Sequence, residues 1–181
     1  AAARLLDGAP LIVSDYYSTG AEILAQLEVL MRPPPQDAGH GPRRAYQRAF
    51  REAAMRLLVS IVDHRPALTG AQRIGFIEEL YPALSAFSLP FPQLQELHGA
   101  WELYIDGVHL PVLGHRVHPM YGTYAPTRLT HLELFGTWLS AYQGPRERAI
   151  DVGTGCGVLA LMLCKGGFER VLATDINPNA V

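Results

Sequence analysis

Five residues near the carboxyl end of the sequence form a glycine-rich turn. Gly153-Thr-Gly155-Cys-Gly157 follows the short stretch Ala149-Ile-Asp-Val and precedes an apolar run over residues 158–164. Glycines at a strand-to-helix junction let the backbone bend sharply and let a ligand approach the main chain. The amino end of the helix adds free N–H groups and a partial positive charge. The spacing therefore predicts a nucleotide-like ligand at the carboxyl edge of a parallel sheet.

Two aspartates indicate which ligand this is. Asp175 ends the second predicted strand, 171–175, where a carboxylate can accept hydrogen bonds from ribose hydroxyls. Asp151 lies two residues before the first glycine, where it would repel a pyrophosphate but attract the ammonium and sulfonium groups of S-adenosylmethionine. The pair favours S-adenosylmethionine over NAD. An NAD-dependent oxidoreductase remains the alternative, because Gly155-x-Gly157-x-x-Ala160 fits the loose dinucleotide pattern.

The same residues carry a family resemblance. Asp151-Val-Gly-Thr-Gly-Cys-Gly-Val-Leu-Ala-Leu161, followed by Ala173-Thr-Asp-Ile-Asn-Pro-Asn-Ala-Val181, resembles the class I methyltransferases of the "small domain" type. It is particularly similar to the protein-glutamine N5-methyltransferases of peptide-chain release factors. The resemblance implies that Asp175 holds the ribose and that Ile176 and Asn177 lie beside the adenine. It also implies that the methionine end of the cofactor is lined by Asp151, Gly153, Thr154, Gly155 and Gly157.

A weaker match lies upstream, at Ala125-Pro-Thr-Arg-Leu-Thr-His131. Members of that family carry Ile-Pro-Arg-Pro-Glu-Thr-Glu here, so Pro126 and Thr130 fall on the pattern. The resemblance implies that Thr130 contacts the cofactor. Tyr121 and Tyr124 precede this run, and the sequence leaves open whether they line the cofactor pocket or pack elsewhere.

The acceptor-binding motif of the family, of the Asn-Pro-Pro-Tyr type, is expected beyond Val181. The catalytic residues are therefore unknown, and the chain is expected to be an amino-terminal part, truncated after the second strand. The predicted function is methylation of a nitrogen by S-adenosylmethionine, on a glutamine of a release-factor-like protein. A base of rRNA, tRNA or DNA is the alternative acceptor. A non-catalytic interaction module with an incomplete cofactor fold is the alternative outside enzymes.

The elements around these residues predict an α/β fold with three parts: an amino-terminal helical domain (1–98), a β-hairpin connector (99–126) and the start of a Rossmann-like methyltransferase domain (127–181). Helices are expected over about 19–30, 43–62, 69–81 and 127–142. The hairpin strands, 101–105 and 108–113, flank Asp106-Gly107, a strong hairpin-turn signal.

Net charge and amino-acid composition indicate which classes of partner and which cellular compartment to expect. The net charge of −2 gives no overall attraction to nucleic acid. Arg44, Arg48 and Arg51 fall on one helix face, which is either a solvated surface or a site for RNA or an acidic partner.

Cys156 and Cys164 lie eight residues apart in the predicted helix, about 12 Å, which is too far for a disulfide. With no signal peptide or membrane span in the sequence, we expect a cytoplasmic protein.

Several residues have plainer interpretations. Cys156 stands where the similar enzymes typically carry a serine, and it is most simply a small residue filling that place. His109, His115 and His118 suggest a metal, but His115 and His118 would point to opposite faces of a strand. No metal site is predicted.

Overall fold

The computed structural model describes residues 1–126 and 128–180. Thr127, the start of a predicted helix, and Val181, the end of the predicted third domain, lie outside the described residues. The chain has a mixed α/β fold and divides into two compact units, Ala1–His98 and Gly99–Val181. Helix α5 (Phe91–Asp106) contains the boundary.

The first unit combines helices with a four-stranded sheet. Its strands are β1 (Leu11–Val13), β2 (Leu57–Val62), β3 (Arg65–Pro66) and β4 (Ala86–Pro90). Strand β2 pairs with all three others, parallel to β1 and antiparallel to β3 and β4. The other helices of this unit are α1 (Ala2–Leu6), α2 (Tyr17–Met31), α3 (His40–Ala54) and α4 (Gly75–Leu80).

The central strand corrects the predicted helix over 43–62. Helix α3 ends at Ala54, and from Leu57 the chain is extended. Leu57, Val59 and Ile61 are fully buried, and the residues between them are less so, which is the period of two expected of a strand. The prediction of an amino-terminal domain built of helices alone is therefore wrong, because a sheet organises its core.

The second unit contains the predicted strand, turn, helix and strand. Strand β7 (Arg148–Val152) leads through the glycine-rich turn into α7 (Val158–Lys165), and β8 (Arg170–Thr174) follows. β7 and β8 are parallel, with Asp151 opposite Ala173. Before them come the hairpin strands β5 (Val108–Leu110) and β6 (His115–Val117) and helix α6 (Thr130–Ala141); a 3-10 turn, Pro178–Ala180, follows β8.

The predicted hairpin is displaced along the chain. Residues 101–105, predicted as a strand, belong to helix α5. Gly107 ends that helix with φ of +68°, and its N–H donates to the Leu103 carbonyl at 2.9 Å. Asp106-Gly107 is thus the carboxyl-terminal cap of a helix, a position that favours glycine, and not a hairpin turn. The actual hairpin joins β5 to β6 through residues 111–114.

The core of the second unit positions the turn. Apolar side chains from the hairpin, α6 and α7 form one buried cluster: Leu110, Leu113, Val117, Leu132, Leu139, Val158, Met162 and Leu163. Val158 and Met162 anchor α7, so the amino end of this helix is fixed directly after the glycines. The other side of the strand pair is open, with Ile150 and Val152 exposed.

Among the described helices, none combines the length and the apolar character needed to cross a membrane.

Candidate functional site

The glycine-rich turn is held at the carboxyl ends of both parallel strands. Gly153 and Thr154 each donate a backbone N–H to the carbonyl of Thr174, the last residue of β8, at 2.8 and 3.0 Å. The φ angles of Gly153, Gly155 and Gly157 are +76°, +55° and +79°. Residues other than glycine rarely adopt this backbone region. The three glycines are therefore required by the backbone path of the turn.

Asp151 lies underneath this turn. It is 8% exposed, and its Oδ2 accepts hydrogen bonds from Thr154 Oγ1 at 2.7 Å and from the backbone N–H of Ala160 at 3.1 Å. Ala160 is in the first turn of α7, whose N–H groups have no partner within the helix. The carboxylate thus joins the strand, the turn and the helix, and places a negative charge directly behind the glycines.

Asp175 closes the turn from the neighbouring strand. Its Oδ2 accepts the N–H of Gly155 at 2.8 Å and its Oδ1 accepts the N–H of Asn177 at 2.9 Å. These two N–H groups, first that of Asn177 and then that of Gly155, hold the pKa of the Asp175 carboxyl below its usual value. The group is therefore ionised at neutral pH. A carboxylate has about four acceptor positions, so these bonds leave acceptor capacity for a ligand.

A segment before α6, residues 121–124, is fastened to the same site. Asn177 Nδ2 donates to the Gly122 carbonyl at 2.9 Å, and Asn179 Nδ2 donates to the Tyr121 carbonyl at 3.0 Å. The Tyr124 carbonyl accepts the N–H of Cys156 at 3.1 Å. Asn177, predicted from the resemblance to lie beside the adenine, thus directs its side-chain amide to the main chain of this segment.

Sequence reasoning missed Asn179 and the backbone carbonyls of this segment as parts of the site. The pair of asparagines around Pro178 predicts only a local turn, in which the Asn177 Oδ1 accepts the N–H of Asn179 at 3.0 Å.

The surface of the site has room for a ligand at the glycines. A Cβ added to Gly153 or Gly157 would have no atom within 4 Å, whereas one on Gly155 would lie 3.0 Å from the Tyr124 carbonyl oxygen. The Tyr124 side chain is 65% exposed and Ile176 is fully exposed. The site therefore combines open backbone, the Asp175 carboxylate, the buried carboxylate of Asp151 behind the turn, and the exposed side chains of Tyr124 and Ile176. This set of groups fits a nucleoside bearing a cationic tail.

Two predicted residues have other surroundings. Thr130 is the first residue of α6 and is exposed, and no hydrogen bond joins it to the turn within the described ranges. Cys156 is half-buried, and burial raises the pKa of its thiol, with backbone N–H groups opposing the shift only in part. Cys156 therefore stays a protonated thiol at neutral pH, although it lies just before a helix.

Two of the three histidines considered for a metal lie within hydrogen-bond distance of main-chain carbonyls. His118 Nδ1 lies 2.6 Å from the Tyr104 carbonyl, and His115 Nδ1 lies 3.1 Å from the Leu113 carbonyl.

A cavity of about 480 Å³ lies elsewhere on the second unit, at the carboxyl end of α7. Lys165 and Arg146 line it, but both direct their charged groups to backbone carbonyls, Lys165 Nζ to Leu113 at 3.1 Å and Arg146 to Leu139, Tyr142 and Gly166. Because the glycine-rich turn lies at the opposite end of α7, this cavity is separate from the candidate site.

Comparison with known proteins identifies what the site resembles. The family described as "Ribosomal protein L11 methyltransferase (PrmA)" matches residues 122–181. Three relatives carry the name ribosomal protein L11 methyltransferase. That of Nitrosomonas europaea is 42% identical over 45 residues, 25% of this chain and 14% of its own length. That of Geobacter sulfurreducens is 43% identical over 60 residues, which cover 33% of this chain and 18% of the relative. That of Listeria monocytogenes is 30% identical over 132 residues, which cover 59% of this chain and 42% of the relative.

The three relatives are named methyltransferases, the enzyme class predicted from the sequence, and their names do not support the NAD-dependent alternative. A methyltransferase of this family implies S-adenosylmethionine as the methyl donor. The more specific similarity to release-factor glutamine methyltransferases is not supported, because the relatives are named for ribosomal protein L11. The chain spans less than half the length of each of these three relatives.

Proposed function

We propose that this chain is the cofactor-binding part of an S-adenosylmethionine-dependent methyltransferase that modifies a protein. The observation that supports this most is the placement of Asp151 and Asp175 around the glycine-rich turn, at the ends of adjacent parallel strands. Two carboxylates at this point suit a ligand with a cationic tail and disfavour a pyrophosphate. When bound, S-adenosylmethionine supplies a methyl group on a positively charged sulfur.

Each residue then has a defined part in holding that cofactor. Asp175 accepts the ribose hydroxyls with the lone pairs that Gly155 and Asn177 leave available. The negative charge of Asp151, with the hydroxyl of Thr154 bonded to it, attracts the ammonium of the methionine part. The open backbone at Gly153 and Gly157 lets that part approach the turn. We assign Ile176 to the adenine face, Asn177 to the adjoining loop, and Thr130 to the entrance of the site.

For the methyl acceptor we propose a ribosomal protein of the L11 type, on the strength of the relatives' names. We assign its recognition to the first unit, residues 1–98. A glutamine side chain, the acceptor expected from the sequence, has no support in those names and becomes one outcome of the experiment. Methylation of an RNA base is the other.

Calorimetry on the full-length protein tests the cofactor. We expect S-adenosylhomocysteine to bind and NAD not to bind. Incubation with S-adenosylmethionine carrying a labelled methyl group, and with purified ribosomal protein L11, a release factor or rRNA, then tests the acceptor. Mass spectrometry of labelled peptides identifies the modified residue. NAD binding without S-adenosylhomocysteine binding would overturn the cofactor assignment, and label in the release factor or rRNA alone would overturn the substrate.

A further inference from the structure

The strongest charge concentration on the first unit is one side of helix α3. Arg43, Arg44, Arg48 and Arg51, here named the arginine face, are all exposed. At 3.6 residues per turn they lie within an arc of about 140°. Ala53 and Ala54 are buried and fix the carboxyl end of the helix to the unit. The arginines therefore form a row along a helix of 15 residues that is anchored at this end.

Helix stability does not account for this row. Within the described residues no carboxylate pairs with any of the four guanidinium groups, and Glu52, the one acidic residue of α3, pairs with Arg56 at 2.9 Å. Arginines one turn apart, such as Arg44 and Arg48, repel each other and destabilise a helix. The chain as a whole has a net charge of −2, so the positive charge is local to this surface.

The chemistry of the face favours a polyanion over a protein partner. A guanidinium group can donate two parallel hydrogen bonds to a phosphate. The other exposed residues on this arc are polar, His40 and Gln47, and Ala54, which also falls on it, is buried. The exposed face therefore lacks the apolar centre around which protein interfaces are built. A phosphate backbone needs no such centre, because its affinity comes from charge and counterion release.

A cavity at one end of the row suits a single strand. It has a volume of about 490 Å³ and is lined by Pro33, Pro34, Gln36, Arg43, Tyr46 and Gln47. Single strands are held by cations along the backbone and by aromatic rings on which bases stack. Arg43 belongs both to the arginine face and to the cavity. Tyr46, also in the lining, is half-buried and stacks on Phe50 with ring centroids 6.1 Å apart.

We propose that the arginine face of α3 binds the phosphate backbone of single-stranded RNA, with one base turned into the adjoining cavity. The choice of RNA over DNA rests on the proposed function, because a ribosomal protein substrate is found beside RNA. The surface is an accessory binding site, separate from the residues assigned to the cofactor.

Fluorescence anisotropy of the full-length protein with a labelled single-stranded RNA 16-mer tests this. Arg44, Arg48 and Arg51 are changed together to Gln. The matched control changes three exposed arginines outside α3 to Gln, Arg4, Arg65 and Arg170, which removes the same charge. We expect the α3 variant to bind at least about tenfold more weakly near 100 mM salt, and its salt slope to fall by about two. The control should bind nearly as the wild type does.

Three further measurements complete the experiment. The corresponding triple Lys variant keeps the charge and should retain most of the affinity, whether or not the Gln variant folds well. DNA of the same sequence should bind more weakly than RNA, and a poly-glutamate peptide should not compete. Equal losses in the α3 and control variants, no RNA binding by the wild type, DNA binding equal to that of RNA, or competition by the peptide would each overturn the proposal.

The cofactor serves as an independent readout. The α3 variant should bind S-adenosylhomocysteine with the affinity of the wild type. If the wild type binds RNA through α3 but binds no S-adenosylhomocysteine, the proposed function fails while the RNA surface stands. The reverse result removes the RNA surface alone.

Discussion

At the scale of single residues, the Asp175 carboxylate accepts two backbone N–H groups from different parts of the site, so the residue that we propose for the ribose also holds the fold together. One of these groups is in the glycine-rich turn and the other is in the loop after β8. Asp151 has the same double character, since it joins Thr154 to the first turn of α7. Substitutions at these carboxylates are therefore expected to change both stability and cofactor affinity, and conservative variants are needed to separate the two effects.

Asp175→Ala should lower the melting temperature and weaken S-adenosylhomocysteine binding by roughly tenfold or more, because charged hydrogen bonds to the ribose are lost. Asp175→Asn keeps one oxygen acceptor, so its melting temperature and its affinity should lie between those of Asp175→Ala and the wild type.

Since the folded-state pKa of Asp175 is lowered, its contribution to stability is present above its unfolded pKa of about 3.9 and is lost as the pH falls through the folded pKa. Melting curves at pH 7 and pH 3 measure this.

The difference between wild type and Asp175→Asn should be clear at pH 7 and should become smaller as the pH falls below about 3.9. A difference of the same size at pH 3 would show that the ionised carboxylate is not the stabilising form. Unchanged S-adenosylhomocysteine affinity in Asp175→Ala would remove the ribose from the assignment.

Two glycines of the turn provide a matched pair. Both have positive φ, so an alanine at either should cost about 1–2 kcal/mol of stability. In Gly155→Ala the new Cβ also meets the Tyr124 carbonyl oxygen at 3.0 Å, whereas in Gly153→Ala it points into open space. Chemical denaturation should therefore show the larger loss for Gly155→Ala. For each variant, calorimetry gives the loss of S-adenosylhomocysteine affinity, which is divided by the loss of stability. This ratio should be larger for Gly153→Ala than for Gly155→Ala. The opposite order would place the ligand elsewhere.

At the scale of elements, Arg146 joins the ends of two helices. Its guanidinium donates to the Leu139 and Tyr142 carbonyls at 3.2 and 2.8 Å, at the end of α6, and to the Gly166 carbonyl, at the end of α7. It also lies 5.8 Å from the centre of the Tyr142 ring. A cation at the carboxyl end of a helix interacts favourably with the helix dipole. Because α7 begins at the glycine-rich turn, this contact fixes the far end of the helix that carries the site.

Arg146→Ala should lower the free energy of unfolding by about 2 kcal/mol, since hydrogen bonds to a charged group are lost and three carbonyls lose a partner. Arg146→Lys keeps the charge but cannot reach all three carbonyls, so it should recover only part of the loss. Urea denaturation measures both. Arg148→Ala, an exposed neighbour on β7, is the control and should change stability by less than about 0.5 kcal/mol. Equal effects at the two positions would contradict the role of Arg146.

The same scale shows which elements can be predicted from the sequence. The strands and helix around the glycine-rich turn were predicted correctly, because glycines mark both the turn and its boundaries. Residues 57–62 were predicted as helix, since a short apolar run has no decisive period by itself. Asp106-Gly107 predicts a hairpin turn from sequence, because a glycine of positive φ is equally suitable in a hairpin and at a helix end. Long-range pairing, such as that of β2 with β4, decides these cases.

The sequence likewise predicts the locally spaced residues of the candidate site but not its long-range contacts. Asp151, Asp175 and the glycines follow from local spacing, and the structure brings them together. The bonds from Asn177 and Asn179 to Gly122 and Tyr121 join residues more than 50 positions apart, and local patterns do not specify such contacts.

At the scale of the whole molecule, the two proposed binding functions belong to different units. Every residue assigned to the cofactor lies within 99–181, and the arginine face lies within 1–98. In the second unit, the bonds that hold the site are made by loop residues at the carboxyl ends of β7 and β8. Loops of this kind open more readily than the buried core does, so a ligand that bridges them should stabilise them selectively.

Hydrogen–deuterium exchange on the full-length protein, with and without saturating S-adenosylhomocysteine, tests this division. We expect slower exchange in peptides covering 121–124, 151–157 and 175–179, because these segments carry the N–H groups and carbonyls that connect the turn, Asp175 and the asparagines. Peptides covering β2 and α3 should not change. NAD at the same concentration is the control ligand and should leave every peptide unchanged. Asp175→Asn should reduce the protection in all three segments together, because its carboxylate joins the turn to the loop. Protection confined to α3 would show that the ligand binds outside the glycine-rich turn. Equal protection by NAD would show that the turn does not select S-adenosylmethionine.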